Sequence, residues 1–320
     1  MLKILDFKTI NDLHVDPAEF YGWCNDVWQF KDECILPAKV KMWQGNSGRY
    51  ITMPCVLPQL DIAGVKFIAR NVDDREGIPA RNSNIMIQNC SKMGLLSVCD
   101  GIWITNMRTG ATAAHSFLNY KKSDTQTMGI MGLGIAADAF MHFVGNLYRE
   151  PMTIKVLRYK DQAEEFIKRN SRFSQFTYEI VESYEDVCSC DVVVSAVGYA
   201  RDCFADESVF KPGCLVIPIQ TSGFQNCDLA FDKLIVDDFE HVKSYRYYEQ
   251  FKHKAVEVSA VEKGDKPGRV SDEERILAYC GGIALHDVYA AYKIYTLACE
   301  RGVGTDVDMQ LPTTRFWIEP

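Results

Sequence analysis

The chain has 320 residues, long enough for two domains that each bury a core of their own. Its composition, 47% hydrophobic and 24% charged, is that of an ordinary globular protein with no biased tract that reads as disorder. A net charge of -8 without a basic cluster argues against nucleic-acid binding, although a local group of cations can still receive a small anionic substrate.

The first eight residues, Met1 to Lys8, have neither a long apolar core nor a small-residue cleavage site. They read as a folded strand and not as a signal peptide. No run approaches the roughly 18 apolar residues of a membrane span. A helix is expected over 17–28. Strands are expected over 39–43, 50–53, 64–69, 84–88 and 95–99, separated by turns such as 45–48, 73–77 and Asp100-Gly101. This first part reads as a mostly antiparallel sheet with one early helix.

Helical periodicity begins near Thr109 and leads into Thr127-Met-Gly-Ile-Met-Gly-Leu-Gly-Ile-Ala-Ala-Asp138. Residues 128–131 read as a short buried strand, Gly132 and Gly134 as a tight turn, and 135–149 as a helix. Glycines at such a turn let the backbone approach a pyrophosphate seated at the helix N-terminus. Gly132, Gly134 and Ala137 fill this fingerprint. A second strand follows over 153–157, then a helix over 162–169 and strands over 191–197, 213–219 and 233–237. Near-continuous apolar strands alternating with helices imply a parallel, doubly wound α/β sheet. Residues 261–271 are polar and read as a surface loop, and a long helix is expected from the 281–287 segment to about 301.

The twelve cysteines are scattered through apolar segments (Cys55, Cys90, Cys99, Cys214, Cys280 and Cys299 among them), and no pair has C-x-x-C spacing. Cys188 and Cys190 make only a C-x-C. Reduced, structural cysteines in a cytoplasmic setting are expected, with no metal site.

Several spacings coincide with one family. Met53-Pro54, Gly64-Val-Lys66, Gly77-Ile-Pro79, Asp100-Gly-Ile-Trp-Ile-Thr105, Met107-Arg-Thr-Gly-Ala111 and Gly282-Ile-Ala-Leu-His-Asp287 together resemble the ornithine cyclodeaminase and mu-crystallin family. The resemblance runs from about residue 37 to 302. It implies an α+β substrate-binding and dimerisation domain, 1–118 with 285–320, and a Rossmann dinucleotide-binding domain, 119–284. It also implies a homodimer acting on a carboxylate-bearing amino acid or imine. Members include cyclodeaminases, amino-acid and opine-type dehydrogenases and ketimine reductases, so the fold does not fix the reaction.

Carried over by resemblance, Lys66 is the catalytic lysine and Arg108 the arginine that pairs with the substrate carboxylate. The chemistry suits both: a desolvated ammonium can exchange a proton with an imine nitrogen, and a guanidinium holds a carboxylate through two parallel hydrogen bonds. Lys39 stands where the family has a second carboxylate-binding arginine, with Lys41 and Arg49 as the alternatives, and Met53 is placed at the pocket wall. Thr109 is expected to reach the pyrophosphate, and Ser195 to pass near the nicotinamide ribose. An NAD-selective site places an acidic residue at the end of its second strand. Leu157-Arg-Tyr-Lys160 stands there instead, so Arg158 and Lys160 point to a 2′-phosphate and NADP(H) over NAD(H).

One departure bears on the reaction. Cyclodeaminases of the family use an aspartate soon after the fourth strand to activate water, but residues 220–225 here hold no carboxylate. Gln225 cannot take a proton, and Asp228 aligns with a later acidic position and reads as structural. The sequence therefore favours an imine reductase run reversibly as an amine dehydrogenase. A lyase that releases ammonia with catalytic NAD, and a non-catalytic protein that binds NADPH and a small ligand, remain the alternatives.

Overall fold

The computed structural model describes residues 1–45, 48–71, 80–198, 203–219, 225–279 and 281–309. The backbone divides into two compact units: Met1–Val15 and Phe30–Thr105 with the chain from Ala284 onward, and Asp16–Gln29 with Asn106–Ile283. These bounds differ from the expected boundary at 118 and from the expected place of the early helix in the first domain. In the backbone that helix, Pro17–Phe30, falls in the second unit up to Gln29.

The first unit is built on a seven-stranded sheet in the order β15-β1-β6-β5-β4-β3-β2. Its strands are β1 (Leu2–Leu5), β2 (Val40–Gln44), β3 (Gly48–Leu57), β4 (Ile62–Asn71), β5 (Arg81–Asn89), β6 (Leu95–Asp100) and β15 (Thr305–Val307). Only β1 and β6 run parallel; the other pairs are antiparallel. Strict alternation gives the sheet two different faces. Met53, Lys66 and Ile85 form one cross-strand row on the buried face, where the helix Ala284–Glu300 packs through residues such as Asp287, Val288 and Ala291. The opposite face carries Ile4, Val40, Met42, Phe67 and Met86, each between 40% and 52% exposed. Register links Ile4, Val98, Met86, Val65 and Pro54 across five strands on that face, and Tyr50 stacks on Phe67 at 5.8 Å.

The helix Gly101–Tyr120 starts directly after β6, eight residues before the onset read from periodicity. Asp100 sets that start by accepting from the backbone N–H of Trp103 at 2.8 Å, the bond an N-cap residue makes.

The second unit holds an eight-stranded sheet in the order β13-β12-β14-β11-β10-β7-β8-β9. Its strands are β7 (Thr127–Met131), β8 (Met152–Leu157), β9 (Phe176–Val181), β10 (Val192–Ser195), β11 (Leu215–Pro218), β12 (Lys233–Val236), β13 (Ala255–Glu257) and β14 (Ile276–Tyr279). All its pairs are parallel. Burial on both faces explains the unbroken apolar runs, with Val192, Val193 and Val194 all at 0% exposure. From β7 the chain winds outward to β8 and β9, then returns to β10 on the other side. That reversal is a topological switch point, the place where open α/β sheets bind ligands at their strands' carboxyl ends.

Among the described residues, no helix is long and apolar enough to cross a membrane. Eleven cysteines there are free thiols.

Candidate functional site

In the first unit the site centres on Lys66. Its side chain and that of Asp287 are both 0% exposed, and Nζ lies 2.6 Å from Asp287 Oδ2. Thr105 Oγ1 stands 3.5 Å from the same nitrogen. The Asp100 cap accounts for this placement, because it starts the helix that brings Thr105 round to Lys66. Met53 is paired directly with Lys66 across β3 and β4 and is 3% exposed. Lys39 is half-buried, one residue ahead of β2, whose Val40 pairs with Thr52 beside Met53. Asp287 and Thr105 belong to two separate motifs, and it is the fold that brings both to the lysine.

In the second unit the glycine turn follows β7. Gly132 has φ +80°, and a Cβ there would stand 2.5 Å from the carbonyl carbon of Ala196, at the exit of β10. Only glycine fits this left-handed, close approach. Gly134 occupies the N-cap of the helix Ile135–Leu147; no side chain caps that end, and nothing lies within 4 Å of where a Cβ would stand. An uncapped N-terminus beside open space fits a dinucleotide diphosphate, which would accept from the N–H groups of the first turn. Ala137 is fully buried, so it serves helix–sheet packing. Ser195 ends β10 in register with Met131 and is 2% exposed. Thr109 is half-buried on the 101–120 helix, next to Gly110, which packs on Ala139.

Arg158 directly follows β8, as the sequence indicated, but two carboxylates already hold it. Its Nε donates to Glu182 at 2.6 Å and Nη1 to Glu164 at 2.7 Å, which raises its pKa further above the ordinary value. Lys160, at φ +53°, lies over the Tyr159 ring at 5.5 Å.

Arg108 is 6% exposed, and Gly282 cradles it. Gly282 has φ +75°, and a Cβ there would fall 1.7 Å from Arg108 Nη1. The Gly282 N–H donates to Asp237 Oδ2 at 2.5 Å, so the carboxylate following β12 fixes the loop that shapes the cradle.

Asp228 is 3% exposed and accepts from the Tyr279 hydroxyl at 2.6 Å. Burial pushes its carboxyl up to about 7, partly offset by the Tyr279 bond, and the Tyr279 hydroxyl itself is raised by burial and then by Asp228. A folded-state pKa above the unfolded value means the folded chain keeps a proton that the unfolded chain loses. Stability from this group therefore falls as pH rises from about 4 to about 7 and is level above that. In Asp228→Asn this contribution, on the order of 4 kcal/mol, should vanish from the pH dependence. Urea midpoints of both proteins at about pH 5 and pH 8 check it: an unchanged wild-type-minus-variant difference would contradict the assignment. Residues 220–224, where the sequence lacks the family aspartate, lie outside the described residues. Among the described residues, no group of three or more His, Cys, Asp or Glu could hold a metal.

Comparison with known proteins gives a consistent picture. The Ornithine cyclodeaminase/mu-crystallin family matches residues 29–302. The chain is 26% identical over 279 residues to the nodulation efficiency protein NfeD of Rhizobium meliloti, covering 85% of this chain and 87% of that protein. It is 22% identical to the Delta(1)-pyrroline-2-carboxylate reductase of Bacillus thuringiensis subsp. konkukian, over 81% of this chain and 84% of that one. Among solved structures, an archaeal alanine dehydrogenase dimer with bound NAD superimposes with a TM-score of 0.86 at 20% identity, covering 97% of this chain and 99% of the other. A lysine cyclodeaminase superimposes with a TM-score of 0.83 at 16% identity, covering 97% and 96%. At these identities the structural likenesses show the fold.

Proposed function

The chain belongs to the ornithine cyclodeaminase/mu-crystallin family, and we propose that within it this protein is a nicotinamide-dependent reductase of an amino-acid-derived imine, reversible as an amine dehydrogenase. The observation that carries this reading is the buried Lys66–Asp287 pair. Lys66 presents a proton to the imine nitrogen, and Asp287 holds the ammonium in place. Complete burial of both side chains keeps water from an imine that it would hydrolyse. Arg108, with Lys39, binds the carboxylate, and Met53 packs beside the reacting group. Bound nicotinamide supplies the hydride, and Gly132, Gly134, Thr109 and Ser195 hold the dinucleotide. Relatives named as pyrroline-carboxylate reductase, alanine dehydrogenase and N-((2S)-2-amino-2-carboxyethyl)-L-glutamate dehydrogenase support the reaction class.

Two features favour the reductase over a cyclodeaminase. Gln225 occupies sequence that in the lyases supplies the water-activating carboxylate. Asp228, the nearest acid, is buried and committed to Tyr279. NADP(H) is the proposed cofactor: Nη2 of Arg158 and the ammonium of Lys160 stay available to a 2′-phosphate while Glu164 and Glu182 orient the guanidinium. The protein is proposed to act as a cytoplasmic homodimer, covering the exposed apolar sheet face of Ile4, Val40, Met42, Phe67 and Met86 with a second copy.

The test follows NAD(P)H consumption with cyclic imines and, in parallel, ammonia release from L-ornithine. Wild type should consume NADPH and release no ammonia. Lys66→Ala should lose on the order of 10²–10⁴ in rate while its NADPH fluorescence titration stays unchanged. Arg158→Ala should weaken NADPH and leave NADH binding as it was. Redox-neutral ammonia release would sink the reductase reading, and equal NADH and NADPH affinity in wild type would sink the cofactor preference.

A further inference from the structure

Three arginines stand side by side on the seven-stranded sheet. Arg49 of β3 pairs directly with Arg70 of β4, and Arg70 pairs with Arg81 of β5. Directly opposed residues of an antiparallel ladder project from one face, with Cβ atoms about 5 Å apart, and like charges so placed repel. Trp43 of β2 extends the row: it pairs with Arg49, whose guanidinium carbon lies 5.3 Å from its ring centroid. The repulsion is visible at Arg49, whose pKa is lowered first by burial and then by Arg70. Among the described residues neither Arg49 nor Arg70 is paired with a carboxylate, and Nε of Arg49 is buried without a hydrogen-bond partner. A chain of net charge -8 has acids to spare, yet among the described residues Arg49 and Arg70 take none.

The row lies on the same sheet face as Lys66. Along β4, Lys66, Ile68 and Arg70 share that face, which sets Arg70 about 13 Å from Lys66 between Cα atoms. The intervening row is Ile51, Ile68 and Ser83, exposed by 8%, 9% and 1%. Lys41 of β2, paired with Ile51, continues it at the sheet edge; inside that edge it is apolar except for the Ser83 hydroxyl, which is buried and unpartnered among the described residues. One strand face thus presents, in order, a nitrogen-handling lysine, an apolar spacer and a group of cations.

We propose that the arginine row binds the distal acid of an elongated substrate, an amino acid or imine whose second carboxylate lies several atoms from the reacting nitrogen. This rests on the reading of Lys66 as the residue that meets that nitrogen. Adjacent guanidinium forks hold one carboxylate from two sides, and its charge relieves their mutual repulsion.

Thermal-shift titration of the full chain with glutarate, and with butyrate as a one-acid control at equal ionic strength, tests the site without needing turnover. Wild type should respond to glutarate at concentrations where butyrate does nothing. Arg70→Gln should weaken the response by roughly tenfold or more, and Arg70→Lys should weaken it less. Neither variant should lose ligand-free Tm, Arg70→Gln because it removes a repelling charge and Arg70→Lys because it keeps the cation in place. Should Arg70→Gln fail to fold, the same comparison is made with Arg70→Lys and Arg81→Lys.

Equal glutarate binding by wild type and variant overturns the site. So does a variant whose only change is loss of dimer in size-exclusion chromatography, since the row would then face an acid of a second copy. Glutarate should also compete with the imine in steady-state kinetics. Arg70-dependent binding without competition would assign the row to a separate anion and overturn the substrate assignment. Arg70-dependent binding in a protein with no NAD(P)H-linked rate would instead sink the proposed reaction and leave only carboxylate binding at the row.

Discussion

Replacing Asp287 with alanine is expected to destabilise the protein by about 3–5 kcal/mol, because it strands a buried ammonium. Lys66 and Asp287 are both 0% exposed and 2.6 Å apart. Each charge has given up its hydration, and each is the other's compensation. The expected loss reflects the uncompensated partner and not the net worth of the pair, which against an apolar replacement is often nil. A double variant, Lys66→Met with Asp287→Leu, should therefore recover most of the urea midpoint lost in Asp287→Ala. It should recover none of the imine-reducing rate. Separation of stability from activity is the informative outcome, since a merely structural ion pair would return both. If Asp287→Ala unfolds at the wild-type midpoint and keeps its rate, the pair has no part in either.

Much of the frame could be read from the chain, for reasons that differ by element. The strand, glycine turn and helix over 127–147 announce themselves because Gly132 must take φ +80° against the Ala196 backbone. The antiparallel strands show period-2 alternation, as β3 does from Tyr50 to Leu57. By contrast β14, four residues between β12 and β11, is not legible in the sequence. A run as short as Ile276 to Tyr279 carries no period, and its flanking Arg275 reads as a loop. The onset of the 101–120 helix was hidden by Ile102, Ile104 and Thr105, whose branched side chains favour strands.

Site chemistry was legible one residue at a time and not in its pairings. Lys66 and Asp287 are 221 positions apart, and no spacing rule joins them. Arg158 was visible as a cation at a strand end, but Glu182, which holds its Nε, comes from beyond the next strand, 24 residues on. Parallel sheets bring neighbouring strand ends together across such distances, so the charge of that corner belongs to the sheet order and not to local sequence. For the same reason the arginine row cannot be seen without register: Arg49, Arg70 and Arg81 look like three isolated surface cations until β3, β4 and β5 are aligned.

Gly282→Ala is expected to mimic the loss of Arg108 without touching it. A methyl group at Gly282 would fall 1.7 Å from Arg108 Nη1 and 2.6 Å from Cζ, so the guanidinium must leave its present place. The backbone cannot easily yield. Gly282 has φ +75°, and its N–H is held by Asp237. An L residue in that conformation costs about 1–2 kcal/mol in addition. If Arg108 binds the substrate carboxylate, both Gly282→Ala and Arg108→Ala should raise KM by roughly 10- to 100-fold, the worth of a charge-assisted bidentate contact. Effects on kcat should be smaller wherever the carboxylate is held equally in ground and transition states. A substrate analogue with a carboxamide in place of the carboxylate sharpens the comparison. Wild type should handle it as poorly as the variants handle the acid, and Gly282→Ala should add little further loss. Gly22→Ala, on the 17–30 helix with nothing within 4 Å of the new methyl, supplies a control that should leave KM unchanged. Were Gly282→Ala to keep the wild-type KM while Arg108→Ala lost it, the cradle would not be what positions the arginine. Were both to keep it, carboxylate recognition would have to move to Lys39 and the cations of the first unit.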